Sequence, residues 1–237
     1  MELNKIYKQD CVEFMENCQP QMFDMIVTSP PYNFGGFSRD HIKKNYDIYS
    51  DDMPEDEYRE WIQRVLAGCS RVLKEGGTLY WNHKGKYSDW TYNPPYWVVD
   101  LCGLNLYQHI VWAHNGGPDV RTEKFFPRYE DIFMFVKGKT PAYFNPEAAQ
   151  LGNVWYIPHG YDKVHPAPFP VAIAQRAIYA SCPPGGVVYD PFMGSGTTAV
   201  AAITEKMNFV GTEISEKYIN YANERVRVKQ IESYTLF

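Results

Sequence analysis

Apolar positions along the chain follow two periods, and the stretches where each holds define the predicted elements. Phe23-Asp24-Met25-Ile26-Val27-Thr28 is a short apolar run stopped abruptly by Ser29-Pro30-Pro31, the pattern of a buried strand. From Tyr58 the apolar residues recur at Trp61, Ile62, Val65, Leu66, Cys69, Val72 and Leu73, the three-and-four spacing of one buried helical face. Asp52 is placed to cap that helix, Pro54 to enter its first turn and Gly76-Gly77 to end it. Thr78-Leu79-Tyr80-Trp81 then reads as a strand. Beyond it come a helix from Pro95 and strand-like stretches near Leu106 to Trp112 and Asp131 to Val136. Residues 138–169, dense in Pro, Gly, Asn and aromatics, read as loops with short strands. Regularity returns with a helix (Val171 to Tyr179), a strand (Val187 to Tyr189), a Gly-rich turn, a helix from Thr197, a strand (Phe209 to Thr212) and a last helix from Ser215. Strands alternating with helices predict an α/β fold: one domain over residues 1–237, with a mostly parallel, doubly wound sheet and one antiparallel edge pair.

Composition narrows the class. The chain has 237 residues, 45% hydrophobic and 22% charged, enough apolar material for a core and too little charge for disorder. Aromatics reach 16%, which suits either a surface that stacks planar rings or a Tyr-rich core and rim. No apolar run has membrane-spanning length and Met1-Glu2-Leu3-Asn4-Lys5 opens no signal peptide, so the expectation is a soluble, cytoplasmic protein with no membrane contact. The five cysteines form no C-x-x-C pair, and His83, His109, His114 and His159 show no ligand spacing, so no metal is expected. Net charge is −5, but residues 47–60 alone carry seven acids and one Arg, which leaves the rest of the chain at +1. Basic residues recur in loop-like stretches, among them Arg39, Lys43 and Lys44, which could grip a phosphate backbone or simply be solvated.

Asp190-Pro191-Phe192-Met193-Gly194-Ser195-Gly196-Thr197-Thr198-Ala199 joins a predicted strand to a predicted helix. Gly194 and Gly196 would let backbone approach a ligand, and Glu213, at the end of the next strand, could accept from the two hydroxyls of a ribose. A structural glycine turn is the plain alternative. No G-K-[ST] follows, which excludes a P-loop. A dinucleotide is open, but the acidic Asp190 suits a ligand with a cationic end, such as the amino group and sulfonium of S-adenosylmethionine.

At the other end of the chain, Ser29-Pro30-Pro31-Tyr32 follows the first buried strand directly. Its prolines fix the backbone and remove two N–H donors, leaving carbonyls as acceptors. Ser29 adds a hydroxyl and Tyr32 an aromatic face, a set that could hold a flat ring bearing an amine. The exocyclic amine of cytosine or adenine is a poor nucleophile because its lone pair is delocalised into the base. Hydrogen bonds from the amine to Ser29 and to the Pro30 carbonyl would localise that pair.

These two motifs, in this order, resemble those of the amino-directed DNA methyltransferases of the permuted β type. There a catalytic [DNS]-P-P-[YFW] precedes a cofactor-binding F-x-G-x-G, as Ser29-Pro30-Pro31-Tyr32 precedes Phe192-Met193-Gly194-Ser195-Gly196. Asp10-Cys11-Val12-Glu13 resembles the family's D-C segment, Gly76-Gly77-Thr78-Leu79 its strand after the catalytic corner, and His165-Pro166 its H-P element. The resemblance implies a Rossmann-like methyltransferase domain with circularly permuted motif order and S-adenosyl-L-methionine as cofactor. It implies Ser29, Pro30, Pro31 and Tyr32 as catalytic residues. Asp10, Cys11, Thr28, Asp190, Phe192, Gly194, Ser195, Gly196, Thr197 and Glu213 would bind the cofactor.

The same resemblance implies double-stranded DNA as partner, contacted by Arg39, Lys43 and Lys44, and a target base swung out of the helix. The reading segment maps to residues 139–163, where Asn153, Trp155, Tyr156, His159 and Tyr161 either reach bases or pack. So small a segment implies a short recognition sequence or a homodimer that pools two surfaces, and a cognate restriction endonuclease is admitted. Ser at position 29 leans toward cytosine N4, with adenine N6 the alternative. Cytosine C5 is disfavoured because no Pro-Cys dipeptide is present. Asn93-Pro94-Pro95-Tyr96 also fits the catalytic pattern, but polar residues precede it, so it is expected to start a helix. An RNA or protein methyltransferase, a dinucleotide oxidoreductase and a non-catalytic DNA-binding subunit are the competing readings.

Overall fold

The computed structural model describes residues 1–34, 47–49, 51–88, 90–115, 123–159, 164 and 169–234. Strands β1 (Lys5–Lys8), β2 (Phe23–Thr28), β3 (Leu73–His83), β6 (Asn105–Ala113), β7 (Tyr129–Val136), β8 (Val154–Tyr156), β9 (Val187–Asp190) and β10 (Asn208–Glu213) form one sheet. Its order is β1-β10-β9-β2-β3-β7-β6-β8. Strands β4 (Lys86–Ser88) and β5 (Thr91–Asn93) make a separate antiparallel hairpin. The helices are α1 (Cys11–Asn17), α2 (Glu55–Val72), α3 (Trp97–Cys102), α4 (Val171–Ser181), α5 (Thr197–Thr204) and α6 (Glu216–Tyr234).

Alternation along the strands supplies both faces of the sheet with apolar side chains. Met25, Val27, Tyr80, Met134 and Val188 pack under α4, α5 and α6. Ile26, Leu79, Trp81, Phe133 and Phe135 point to the other face, under α1, α2 and α3. Helices on both faces of a mostly parallel sheet are the doubly wound arrangement that the strand–helix alternation predicts. The reversal expected at one edge belongs to β7, which lies inside the sheet and runs antiparallel to both β3 and β6. The edge strand β8 pairs parallel to β6, its three residues too few to register as an alternation in the sequence.

Two local expectations are corrected. The long helix begins at Glu55 after Pro54, with no side-chain cap, so Asp52 does not cap it. Gly76-Gly77 does not end the helix either. The chain turns at Leu73 and enters β3 at once, with both glycines inside the strand. Gly76 has φ 72° there, and a Cβ at that position would fall 2.9 Å from the backbone nitrogen of Ala142. Among the described residues no helix is long and apolar enough to cross a membrane.

Candidate active site

Strands β9 and β2 lie side by side in the sheet. From β9 the chain crosses through α5 to β10 on one side, and from β2 through α2 to β3 on the other. Helices on opposite faces leaving adjacent parallel strands open a crevice beyond their carboxyl ends, the switch point where doubly wound sheets bind ligands. The corner after β2 and the turn after β9 therefore meet there. Thr28 Oγ1 donates to Asp190 Oδ1 at 2.7 Å across 162 positions of sequence.

Asp190 is wholly buried, and all its contacts are internal. Oδ1 also accepts from the Phe192 backbone N–H at 2.9 Å, and Oδ2 accepts from Thr198 Oγ1 at 2.5 Å. Burial raises its pKa to about 6 against the pull of those donors. Asp190, expected to face the cationic end of a cofactor, lies behind the residues that line the cavity and ties the corner to the turn. Thr28, Ser195, Gly196 and Thr197 also sit behind the wall. Ser195 accepts from Arg225 through Oγ at 2.9 Å and through its carbonyl at 2.7 Å. At Gly196, φ is 83° and a Cβ would lie 2.9 Å from that of Ala222, so glycine here lets α5 and α6 approach closely. Residue type in the sequence carried the turn but not the direction in which each side chain points.

The cavity in the crevice measures about 340 Å³. One wall is made by Asp10, Cys11, Phe192, Gly194 and Glu213, all expected from the sequence. Asp10 Oδ1 caps α1, accepting from Val12 N (2.9 Å) and Glu13 N (3.1 Å). Glu213 accepts from Gly194 N at 3.0 Å and Ser215 N at 2.8 Å, while burial raises its pKa. Burial, reinforced by Asp10, also raises the pKa of the Cys11 thiol, which keeps it protonated and a poor nucleophile.

The facing wall is the corner itself: Ser29, Pro30, Pro31 and Tyr32 all line the cavity. Ser29 Oγ and Tyr32 Oη lie 2.8 Å apart, and Tyr32 Oη donates to Glu130 Oε2 at 3.1 Å. Asn82 Nδ2 donates to Tyr32 Oη, to Glu130 Oε2 at 3.1 Å and to Ser29 Oγ at 3.3 Å. Lys84 Nζ reaches Glu130 Oε1 at 3.3 Å. A brace stands behind this cluster. Tyr58 Oη donates to the Pro31 carbonyl at 2.8 Å and lies 3.1 Å from His83 Nε2, while Lys84 N donates to His83 Nδ1 at 2.8 Å. These contacts assign His83 as neutral with its proton on Nε2, consistent with burial lowering its pKa to about 4. The Tyr32 ring stacks on His83 with centroids 4.9 Å apart, so one of its faces is already covered.

Asn82 and Glu130 escaped the sequence reading, although each carried a signal. Asn82 is a polar residue inside the apolar run of β3, and Glu130 an acid at the head of apolar β7. Buried polar groups in strands mark places where a network is being built. His114, Glu130 and His159 each bring one potential ligand atom within 4.8 Å of the others, a grouping their sequence spacing hides. Burial and the adjacent His159 imidazole lower the pKa of His114 to about 4, and burial lowers that of His159.

Other candidates fall elsewhere. Asn93 ends β5, bonded to Ser88 Oγ and the Thr91 carbonyl, and Tyr96 caps α3, so the second Pro-Pro corner is off the cavity. In the reading segment, Trp155 is buried and Asn153 Nδ2 donates to the His109 carbonyl, whereas Tyr156 is 81% exposed and His159 lines the cavity. Arg39, Lys43, Lys44, Tyr161, His165 and Pro166 lie outside the described residues. Asn33 and Met53 are tied together: Asn33 Nδ2 donates to the Met53 carbonyl at 2.9 Å, and Met53 N to Asn33 Oδ1 at 2.7 Å.

Comparison with known proteins is consistent with this arrangement. A family model described as DNA methylase, for N6 and N4 methyltransferases, matches residues 23–224. The DNA adenine methyltransferase YhdJ of Escherichia coli K12 is 29% identical over 96% of this chain and 84% of its own length. Among solved structures, the cytosine-N4-specific PvuII DNA methyltransferase superposes with a TM-score of 0.77 at 19% identity, covering 93% of this chain and 85% of that one. The Thermus thermophilus protein TTHA0409, solved with S-adenosyl-L-methionine, gives a TM-score of 0.73 at 22% identity, with coverage of 95% and 93%.

Proposed function

Because the chain belongs to the N6/N4 family of DNA methylases, we propose that it methylates the exocyclic amine of a flipped base in double-stranded DNA, using S-adenosylmethionine, with cytosine N4 as acceptor. The observation that carries the reading is the Thr28–Asp190 bond, which joins the Ser29 corner and the Gly194 turn at one cavity.

The donor set of the cavity fits the cofactor. An adenosyl group calls for a carboxylate toward its ribose and apolar plates about its ring, and Glu213 with Phe192 and Ile214 meets that need. The cavity volume is that of a small-molecule site. When bound, the cofactor supplies an electrophilic methyl group. The chain's own part is to present the amine. The Pro31 carbonyl is taken by Tyr58, while among the described residues no donor engages the Pro30 carbonyl. The Pro30 carbonyl and Ser29 Oγ are then the acceptors that hold the amine hydrogens and localise the nitrogen lone pair. Catalysis is mainly positioning, with no covalent intermediate. Extruding the base costs about a few kcal/mol, offset by contacts with the corner. In the reading segment, exposed Tyr156 and His159 are the candidates for base contacts. Pairing with a second copy or with a restriction endonuclease belongs to the same proposal.

Ser29 at the head of the corner supports cytosine N4. The likeness to an adenine methyltransferase supports N6 as the second reading. Incubation with methyl-deuterated cofactor and mixed-sequence DNA, followed by nucleoside mass spectrometry, tests both. The expected product is labelled N4-methyldeoxycytidine. Labelled N6-methyldeoxyadenosine would reassign the base, and an absence of any labelled deoxynucleoside would refute the function.

A further inference from the structure

Methylation of an amine leaves a problem that the corner alone does not solve. The nitrogen that has taken a methyl group carries a positive charge and must shed a proton. A carboxylate at position 29 could take it, but this chain has Ser29, whose neutral hydroxyl is a weak base that can pass a proton on but not keep one. The nearest carboxylate in line is Glu130. It is 6% exposed, projects from the start of β7 into the cavity wall, and accepts from Tyr32 Oη at 3.1 Å, while Tyr32 Oη lies 2.8 Å from Ser29 Oγ.

We propose that Ser29, Tyr32 and Glu130 form a proton relay in which Glu130 receives the proton lost by the base's amine. The inference rests on the functional reading above. The N–H bond of the methylated amine breaks and a Ser29 Oγ–H bond forms. The original Ser29 proton moves to Tyr32 Oη, and the Tyr32 proton moves to Glu130 Oε2. Both hydroxyls end as they began, the product amine is neutral, and Glu130 is protonated until it releases the proton to solvent. Asn82 keeps the line in register, its Nδ2 lying within hydrogen-bond reach of all three oxygens and its two hydrogens serving two of them at a time. The groups facing Glu130 from neighbouring elements suit a carboxylate that cycles between charge states. Lys84 after β3 stabilises the anion, neutral His114 and His159 after β6 and β8 add no fixed charge, and adjacent Asp131 is engaged by His109 at 2.8 Å.

Glu130 acts through two other residues, so its role is separable from packing. Single-turnover methyl transfer would be followed in the wild type, Glu130→Gln and the double variant Glu130→Gln with Ser29→Asp. Cofactor and DNA affinities would be measured on each protein by calorimetry and fluorescence anisotropy. Glu130→Gln should keep both affinities and lose about 10²- to 10⁴-fold in rate. The double variant should regain most of the rate, because the carboxylate now sits on the corner. A Glu130→Gln rate equal to wild type would overturn the relay. So would a loss that the second carboxylate does not repair, since Glu130 would then be a structural prop. A wild type that binds cofactor yet labels no DNA would remove the functional reading beneath it.

Discussion

Asp190 illustrates what burial does to a single residue. Desolvation raises its pKa to about 6 even though three donors favour the anion. A carboxyl whose pKa is higher folded than unfolded binds more protons in the native state, so its contribution is full below about pH 4 and is lost as pH rises through about 6. The span corresponds to roughly 3 kcal/mol. The difference in stability between wild type and Asp190→Asn, measured by urea unfolding, should therefore shift against the wild type as pH rises from 4 to 6. Equal slopes in the two proteins would show that the charge is not felt there. The residue scale is also where the sequence was most and least readable. Ser29-Pro30-Pro31-Tyr32 and Phe192 to Gly196 announce themselves because each demands unusual residue types in a row. Asn82 and Glu130 do not, because a single polar residue in an apolar strand gains meaning only when its neighbours across the sheet are known.

Among the elements, α2 and β3 act as the brace of the corner. Tyr58 from α2 and His83 from β3 form a hydrogen-bonded pair whose outer end holds the Pro31 carbonyl. Tyr58→Phe removes the one O–H in that line. We expect a stability loss of about 1 kcal/mol by thermal or urea unfolding. Single-turnover methyl transfer should slow while cofactor affinity is unchanged. A variant with full rate would show that the corner holds itself. Gly76 is the second test, because φ of 72° and the backbone of Ala142 both exclude a side chain. Gly76→Ala should destabilise by at least about 1 kcal/mol in urea, and a neutral effect would contradict this path of β3 beside Ala142. Periodicity revealed β2, α2, α4, β9, α5, β10 and α6 closely. It misplaced the start of α2 and misread Gly76-Gly77, since a glycine pair that ends a helix and one that lets two segments approach look identical in a string of letters. It also could not give the internal position of β7, because strand direction depends on how the chain returns to the sheet and not on the residues of the strand.

For the molecule as a whole, the order of the motifs along the chain matters less than where the sheet places them. The corner of residues 29–32 comes early, and the glycine turn of residues 192–196 comes late. Strands β2 and β9 nonetheless pair directly, so the switch point is assembled from both halves of the chain. That the two motifs belong together was legible from their resemblance to one family. That Asp190 holds them together, and does not reach into the cavity, was not, because burial is decided by the packing of α5 and β2 against it. The second Pro-Pro corner gives a stringent control for this arrangement, since Asn93 fits the same pattern but lies off the cavity. Single-turnover transfer of labelled methyl groups to DNA, compared among wild type, Ser29→Ala and Asn93→Ala, tests whether the cavity at the β2–β9 junction is where chemistry occurs. Ser29→Ala should lose about 10²-fold or more while Asn93→Ala stays within about twofold of wild type. The reverse ranking would place the reaction at the other corner and overturn the assignment of the cavity.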